Sequence, residues 1–557
     1  MTRVNVDTAA ERLIDVLAGW GVDAVFICPG STEAPFLDAT LDREHPRVVL
    51  TTHETTAVAM ADGLSRATGR PSVAYLHANV GLTNGLSSLY AAQLARSPVV
   101  VLNGLKPTAI QGRRAFTSTT SIRDLVRQYV KFDWQTLHAG AVAEDVDRAF
   151  GLAATEPTGP AWVGLSQDLL AATCAGPARM VGHGEPVARA RPAAGAIERA
   201  ARLLTGAARP LLVAGNDVAR HGATAQLVEL SERLAAPVVT EDRRGLERAA
   251  FPSDHPHFAG AYAPNAPVVR RSDVVYFAGC RCFTEFEPTA GPDVPPGAAV
   301  IHGHCDAAEI GYLVDVDVPL VGDQKLTLLD LLDKVPVAAH AGRRSHLLDA
   351  HAAWEATRLT GSDPEGGQSS IPEVARALGA AVSSDTTVVA DAITSNPTLL
   401  RALPHTHPDQ LHLTSSGSLG WGMGAALGLQ LGLPGRHVVN VLGDGGFQFG
   451  MPALWTAARY RIPVTFVVLN NGSYAAVGAA LTRYGGRAVA SGVFPGVDIS
   501  GPRIADTATA FGVPARRITA AKDVADALSW ARQAAGPALV EVMTDADDFG
   551  PTSIAPR

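Results

Sequence analysis

The sequence predicts an α/β protein of three doubly wound parallel-sheet domains, and three observations carry that prediction. The chain of 557 residues is too long for one ordinary core and suits three domains of about 150–190 residues. Short apolar runs alternate with helical patterns along the chain, the rhythm of βαβ units with helices on both faces of a parallel sheet. Two stretches of low periodicity, rich in small and polar residues, divide that rhythm into three.

The first unit, 1–185, places strands at DAVFICPG, VVLTTHE, SVAYLHANVG, VVVLNG and AWVGLSQD. The stretch CAGPARMVGHGEPVARARPAAG reads as a linker. The second unit, 193–335, places strands at RPLLVAG, PVVTED, SDVVYFAG and AAVIHGHC. A second break runs from about Pro336 to Ser370. The third unit, 371–557, resumes with TTVVADA, HVVNVLGDGG, PVTFVVLNNGSY and PALVEVMT.

Composition narrows the function classes. Hydrophobic residues at 47% and charged ones at 18% are a globular balance. A net charge of −8 gives no electrostatic case for nucleic acid. No apolar run reaches the ~20 residues of a membrane span. The opening MTRVNVDTAAERLIDVLAGWGV is an amphipathic helix with charges spread through it, not a signal peptide. Five cysteines, an odd number in a long chain, argue against a disulfide framework. A cytoplasmic protein is expected.

The stretch GDGGFQFGMPALWTAARYRIPVTFVVLNNGSY runs strand end, helix, strand end. Glycines after the first strand let backbone approach phosphate oxygens, and a helix N-terminus adds partial positive charge. The Asp444 carboxylate and the Asn471 amide oxygen are hard ligands suited to Mg²⁺ or Ca²⁺ bridging a diphosphate. Two successive strand ends of a parallel sheet can present both on one carboxyl edge. The plain alternative is a tight turn at GDGG and a hairpin turn at NNG. In the N-terminal unit, Glu54 stands between the strand VVLTTHE and the helix TTAVAMADGLSRATG, where it could also be a capping residue.

Through GDGG…NNGSY and HETTAVAMADGLSRATGRPSVAYLHANVGLTNG, the whole chain resembles the thiamine diphosphate (ThDP)-dependent 2-oxo acid decarboxylase and acetolactate synthase superfamily, and within it benzoylformate decarboxylase in particular. The resemblance implies an N-terminal pyrimidine-binding domain, a central domain without cofactor and a C-terminal diphosphate-binding domain. It implies a coenzyme held between two subunits of a homodimer or homotetramer. Glu54 matches the glutamate that hydrogen-bonds N1′ of the aminopyrimidine, so that the 4′-amino group can take the thiazolium C2 proton. In TSSGSLGWGMG, Gly417 matches the carbonyl that accepts from that amino group, and Leu419 the bulky residue that bends the coenzyme. Thr394 and Ser395 match a hydroxyl-rich diphosphate loop. Gly445, Gly446 and Tyr474 complete the cofactor set with Asp444 and Asn471, and Ser473 joins the metal ligands.

The implied reaction is decarboxylation of a 2-oxo acid through a C2 ylide and an enamine, which a proton or an aldehyde acceptor then quenches. Ser31, in CPGSTEAPF, falls on a serine that contacts the substrate carboxylate. His77, in YLHANVG, falls on a histidine that exchanges protons with intermediates. A loop hydroxyl and a satisfied buried histidine are the plain alternatives. The pocket departs from benzoylformate decarboxylase at three places. Phe286 stands where a second histidine is expected, Ala480 replaces an aromatic wall while Ala476 stays small, and Phe116 with Thr117 replaces two leucines. The nearby Arg113 and Arg114 read as a solvated face, with anion binding as the alternative. An acetolactate-synthase-like or aldehyde-lyase-like carboligase is the second enzyme reading. A non-catalytic regulatory paralogue is disfavoured by the presence of Glu54, Asp444 and Asn471. Cys280, Cys282, His302, His304 and Cys305 have no standard zinc spacing and read as core residues.

Overall fold

The computed structural model describes residues 7–41, 43–175, 189–241, 245–284, 293–337, 341–359 and 369–545. Among them, eighteen strands form three six-stranded sheets in which every pairing is parallel. The first sheet holds β1 (Ala24–Cys28), β2 (Arg47–Leu50), β3 (Ser72–His77), β4 (Val99–Leu105), β5 (Phe132–Gln135) and β6 (Ala161–Ser166), in the order β2-β1-β3-β4-β6-β5. The second holds β7 (Pro210–Ala214), β8 (Val238–Thr240), β9 (Phe258–Ala261), β10 (Val274–Ala278), β11 (Ala299–His304) and β12 (Val318–Val321), in the order β12-β11-β10-β7-β8-β9. The third holds β13 (Thr386–Asp391), β14 (Leu411–Leu413), β15 (His437–Gly443), β16 (Val464–Asn470), β17 (Ala515–Ile518) and β18 (Ala538–Met543), in the order β14-β13-β15-β16-β18-β17. The fold class is the one the sequence predicts.

Central strands such as β4 (VVVLNGL) and β16 (VTFVVLN) are buried along their whole length, as β-branched runs covered by helices on both faces must be. Five strands escape the sequence reading: β5, β9, β12, β14 and β17. Each lies at the edge of its sheet. The second break also contains more than a linker. A helix, Arg344–Glu355, spans part of it, and Trp354 packs edge-on against Phe258 of β9 at 5.1 Å. Most of the first linker, residues 176–188, lies outside the described residues.

The first and third units share an apolar core. The helix Glu54–Thr68 of the first packs along Trp421–Gly432 of the third. At the seam the buried Asp62 carboxylate accepts from Arg66 Nε at 2.9 Å and from Trp421 Nε1 at 2.7 Å. Arg66 also lies over the Trp421 ring at 4.6 Å and donates to the Leu413 carbonyl. A buried ion pair fixes how two elements meet more than it stabilises them, and here Arg66 Nη2 is left without a partner. Among the described residues, no helix is long and apolar enough to cross a membrane.

Candidate active site

In each outer sheet the strand order reverses between two central strands, β1 and β3 in the first and β13 and β15 in the third. Loops leaving the carboxyl ends of strands on either side of such a reversal run apart and open a crevice. Most of the predicted site residues that are described lie on segments at these two crevices.

At the first crevice, the turn after β1 carries Ser31, Thr32 and Glu33, and β3 ends at His77. His77 Nδ1 lies 2.9 Å from Glu33 Oε2 and 2.8 Å from Thr32 Oγ1. Thr32 donates its own proton to Glu33 Oε1 at 2.6 Å, and the Gly30 amide donates to Glu33 Oε2 at 2.7 Å. The carboxylate can only accept, so Nδ1 carries a proton toward it. Two glycines make the room: a Cβ on Gly30 would lie 2.5 Å from the His77 ring, and one on Gly104 would fall inside the Glu33 carboxylate. Gly104 is the β4 partner of His77 in the ladder. Ser31 is exposed, and its hydroxyl accepts from Lys106 Nζ at 3.2 Å.

Glu54 is the first residue of its helix, and the cap before it is His53, whose Nδ1 accepts from the Thr55 amide at 3.2 Å. Glu54 caps nothing. Its Oε2 accepts from Asn84 Nδ2 at 3.0 Å. The Cys28 thiol donates to the same carboxylate; burial, then the Glu54 charge, push that thiol up to about 12.

At the second crevice, β15 ends in Gly443 and the helix Asp444–Gly450 begins at once. β15 and β16 pair in parallel, so the GDG and NNG ends face the same edge and the hairpin alternative falls. Asp444 Oδ1 accepts from the Gly445 amide at 2.8 Å and Oδ2 from the Gly472 amide at 2.7 Å. Burial holds the Asp444 carboxyl above the usual range, against the pull of these amides. Asn471 Oδ1 accepts from the Ser473 amide at 3.0 Å, and the buried Ser473 hydroxyl has no partner. The Tyr474 ring covers Gly445, where a Cβ would meet it at 2.6 Å. Gly446 faces the backbone of Asp391, and Thr394 with Ser395 follows β13 on the other side of the reversal. Gly417, at φ +66°, is exposed, and Leu419 is half-buried two residues on.

The pocket residues divide. Ala476 and Ala480 are exposed one turn apart on the helix Ala475–Tyr484. Phe116 is 84% exposed, and its loop is tied beside His77 by the Asn79 amide bonding to the Thr117 carbonyl at 3.3 Å. Phe286 lies outside the described residues. Among the described residues no hydrogen bond or ion pair joins the Glu54–His77 group to the Asp444–Asn471 group. Sequence reasoning missed Glu33, Asn84, Cys28 and Lys106. Glu33 stands two residues after Ser31 in the same motif, a carboxylate within one turn of a candidate hydroxyl, which was signal enough.

The cysteine–histidine group sits at the reversal of the central sheet. Ligand-type atoms of Asp217, His304 and Cys305, and of Glu156, His221 and Cys305, lie within 4.8 Å of one another. Yet His304 Nδ1 accepts from the Asp306 amide at 3.0 Å and His221 Nδ1 from the Gln324 amide at 2.9 Å. Each Nε2 therefore carries the proton, toward Asp217 at 3.4 Å and Glu156 at 3.2 Å. His221 thus hydrogen-bonds Glu156 and His304 turns its N–H toward Asp217, so neither ring offers the lone pair a ligand needs.

Comparison with known proteins gives the class. Residues 7–125, 197–331 and 392–542 match the N-terminal TPP binding, central and C-terminal TPP binding domains of the thiamine pyrophosphate enzymes. The chain is 30% identical over 548 residues to a benzoylformate decarboxylase of Pseudomonas aeruginosa, covering 96% of this chain and 99% of that protein. It is 28% identical to a probable acetolactate synthase large subunit of Methanocaldococcus jannaschii, covering 96% and 92%. The structure of a thiamine diphosphate-dependent 4-hydroxybenzoylformate decarboxylase from Rhodococcus jostii RHA1 superposes with a TM-score of 0.86 at 29% identity, over 97% of this chain and all of that one. The chain belongs to the thiamine pyrophosphate enzyme family, and it is an enzyme of the branch that holds decarboxylases and acetolactate synthases.

The residues present fit the cofactor and its cation. Asp444 is 5% exposed, and among the described residues no Lys, Arg or His lies within ion-pair distance. A buried carboxylate without a basic partner calls for a cation from outside the chain.

Proposed function

We propose that this chain decarboxylates a 2-oxo acid with thiamine diphosphate and Mg²⁺, and delivers the product carbon to a proton or to an aldehyde. The observation that carries this reading is the buried Asp444, without a basic partner among the described residues, beside Asn471 and the unpartnered Ser473 hydroxyl, together with a Glu54 that accepts from the neutral donors Asn84 and Cys28. In this reading Asp444, Asn471 and Ser473 hold the cation. Gly445, Gly446, Tyr474, Thr394 and Ser395 receive the diphosphate, and Gly417 and Leu419 shape the rest of the coenzyme. The bound cofactor supplies the electron sink that lets CO₂ leave.

The chain's own groups do the proton work. Glu54 holds a proton at the pyrimidine N1′, with Asn84 and Cys28 fixing its carboxylate. His77, held through Nδ1, has Nε2 as the nitrogen that takes and returns a proton in this reading. Ser31 stands at the substrate edge of that imidazole. The units 1–185, 193–335 and 371–557 take the pyrimidine-binding, central and diphosphate-binding roles. A second copy of the chain completes the site, in a homodimer or homotetramer. Exposed Phe116, Phe449, Val477, Tyr484 and Val493 support this, since apolar groups of that size mark covered surface.

A carboligase is the second reading, favoured by the acetolactate synthase relatives and by the open Ala476–Ala480 face. The experiment is to supply 2-oxo acids with ThDP and Mg²⁺, with and without an acceptor aldehyde, and follow CO₂ and product mass. CO₂ with free aldehyde supports the decarboxylase, 2-hydroxy ketone the carboligase, and no CO₂ from any acid overturns both.

A further inference from the structure

Lys106 follows β4, on the strand next to His77, and its ammonium donates to Ser31 Oγ at 3.2 Å. Among the described residues it has no carboxylate partner. The acids around it are committed elsewhere. Glu33 is taken by Gly30, Thr32 and His77, and Asp168 by the amide and hydroxyl of Thr108. The backbone beneath the lysine is built rather than loose. Its carbonyl accepts from Gln111 Nε2 at 2.6 Å, and Gln111 is itself held by Ser166 at 2.8 Å and Gln135 at 3.0 Å. A half-buried cation on so well-held a backbone, resting on a neutral hydroxyl one residue from the His77 machinery, has no anion matched to it among the described residues.

We propose that Lys106 and Ser31 form an anion subsite beside His77, and that the preferred 2-oxo acid carries a second carboxylate which this subsite holds. The inference rests on the decarboxylase reading above and names its substrate class. The resemblance puts Ser31 on the carboxylate that leaves, but a cation there opposes the reaction. It would stabilise charge in the ground state that disappears as CO₂ forms, and so raise the barrier. A carboxylate that does not react keeps its charge throughout. Holding it strengthens binding of substrate and transition state alike and anchors the reacting end beside Nε2 of His77. Arg113 and Arg114, exposed on the following segment and without carboxylate partners among the described residues, add positive potential on the approach to the same edge.

The test compares acids matched in chain length, with the second carboxylate present or absent: 2-oxoglutarate against 2-oxopentanoate, 2-oxoadipate against 2-oxohexanoate, and 4-carboxyphenylglyoxylate against phenylglyoxylate. CO₂ release is measured with ThDP and Mg²⁺ on the full-length protein. At least one diacid is expected to exceed its partner in kcat/KM by about tenfold or more, chiefly through KM, the size of one charge-assisted hydrogen bond. Lys106→Gln should bring that ratio to about one, and Lys106→Arg should keep most of it. CO₂ from the monoacids with no preference for any diacid overturns this inference and leaves the decarboxylase reading standing. An equal loss for diacid and monoacid in Lys106→Gln also overturns it, because the lysine would then serve the common carboxylate. Altered ThDP affinity in Lys106→Gln overturns it as well. Absence of CO₂ from every acid with ThDP bound removes the decarboxylase reading itself.

Discussion

Glu33 Oε2 and His77 Nδ1 lie 2.9 Å apart, joining the turn after β1 to the end of β3. The pair is separated by 44 residues in sequence and brought together because β1 and β3 are neighbours at the strand-order reversal.

Glu33→Gln replaces a carboxylate that can only accept with an amide that can also donate to His77 Nδ1, so the tautomer is no longer fixed. Turnover should fall by roughly 10²-fold, the scale of one acid–base contribution, while ThDP affinity stays unchanged. Steady-state kinetics beside calorimetric ThDP titration separates the two. Unchanged turnover would make Glu33 a structural acid.

Asp444→Ala should abolish Mg²⁺-dependent ThDP binding, because the diphosphate charge loses its bridging cation. Removing the cation from the wild type with a chelator should reproduce the effect. If calorimetry finds the same affinity in the variant, GDG is only a turn.

Asp391 is fully buried at the end of β13. Its Oδ2 accepts from the Gly422 amide at 3.0 Å, and its Oδ1 has no partner. Burial pushes this carboxyl up to about 7, against about 3.9 in an unfolded chain. The native state therefore keeps a proton that the unfolded state releases between about pH 4 and 7. Stability should fall as pH rises through that window, by up to about 1.4 kcal/mol per pH unit, and level off above it. Asparagine mimics the protonated acid, so Asp391→Asn should lose less stability than the wild type between pH 5 and pH 8. Identical losses in thermal unfolding would remove Asp391 as the titrating group.

Ala480→Phe refills the space beside Ala476 on the exposed face of its helix. Given a 2-oxo acid and excess aldehyde, the wild type should yield a substantial share of 2-hydroxy ketone, and the variant a smaller share or a narrower donor range. Product analysis by mass decides. Free aldehyde alone from both proteins would point to a plain decarboxylase.

What the sequence made legible follows from how each feature is encoded. Central strands announce themselves, since β4, β15 and β16 are dominated by Val and Leu. Edge strands do not. β5 is FDWQ, half-buried throughout, β17 is ARRI with two exposed arginines, and β12 carries a proline. Only β2 was found among the six edges, because VVL is apolar enough to be seen. The candidate site divides the same way. Asp444, Asn471 and Glu54 were legible because strand ends and nearby glycines fix their place locally. Asn84 and Lys106 take their meaning from residues 30 and 75 positions away, so only the strand order reveals them. Glu33 stood close enough to Ser31 to be noticed, but its pairing with His77, 44 residues on, was not legible.

The most direct test of the central claim is the exchange rate of the C2 proton of bound ThDP, in wild type and in Glu54→Gln. The amide can still bond N1′ but cannot hold a proton there. Exchange in the variant should be slower by about 10²–10⁴-fold, with ThDP still bound. Equal exchange rates in the two proteins, at equal occupancy, would contradict the account.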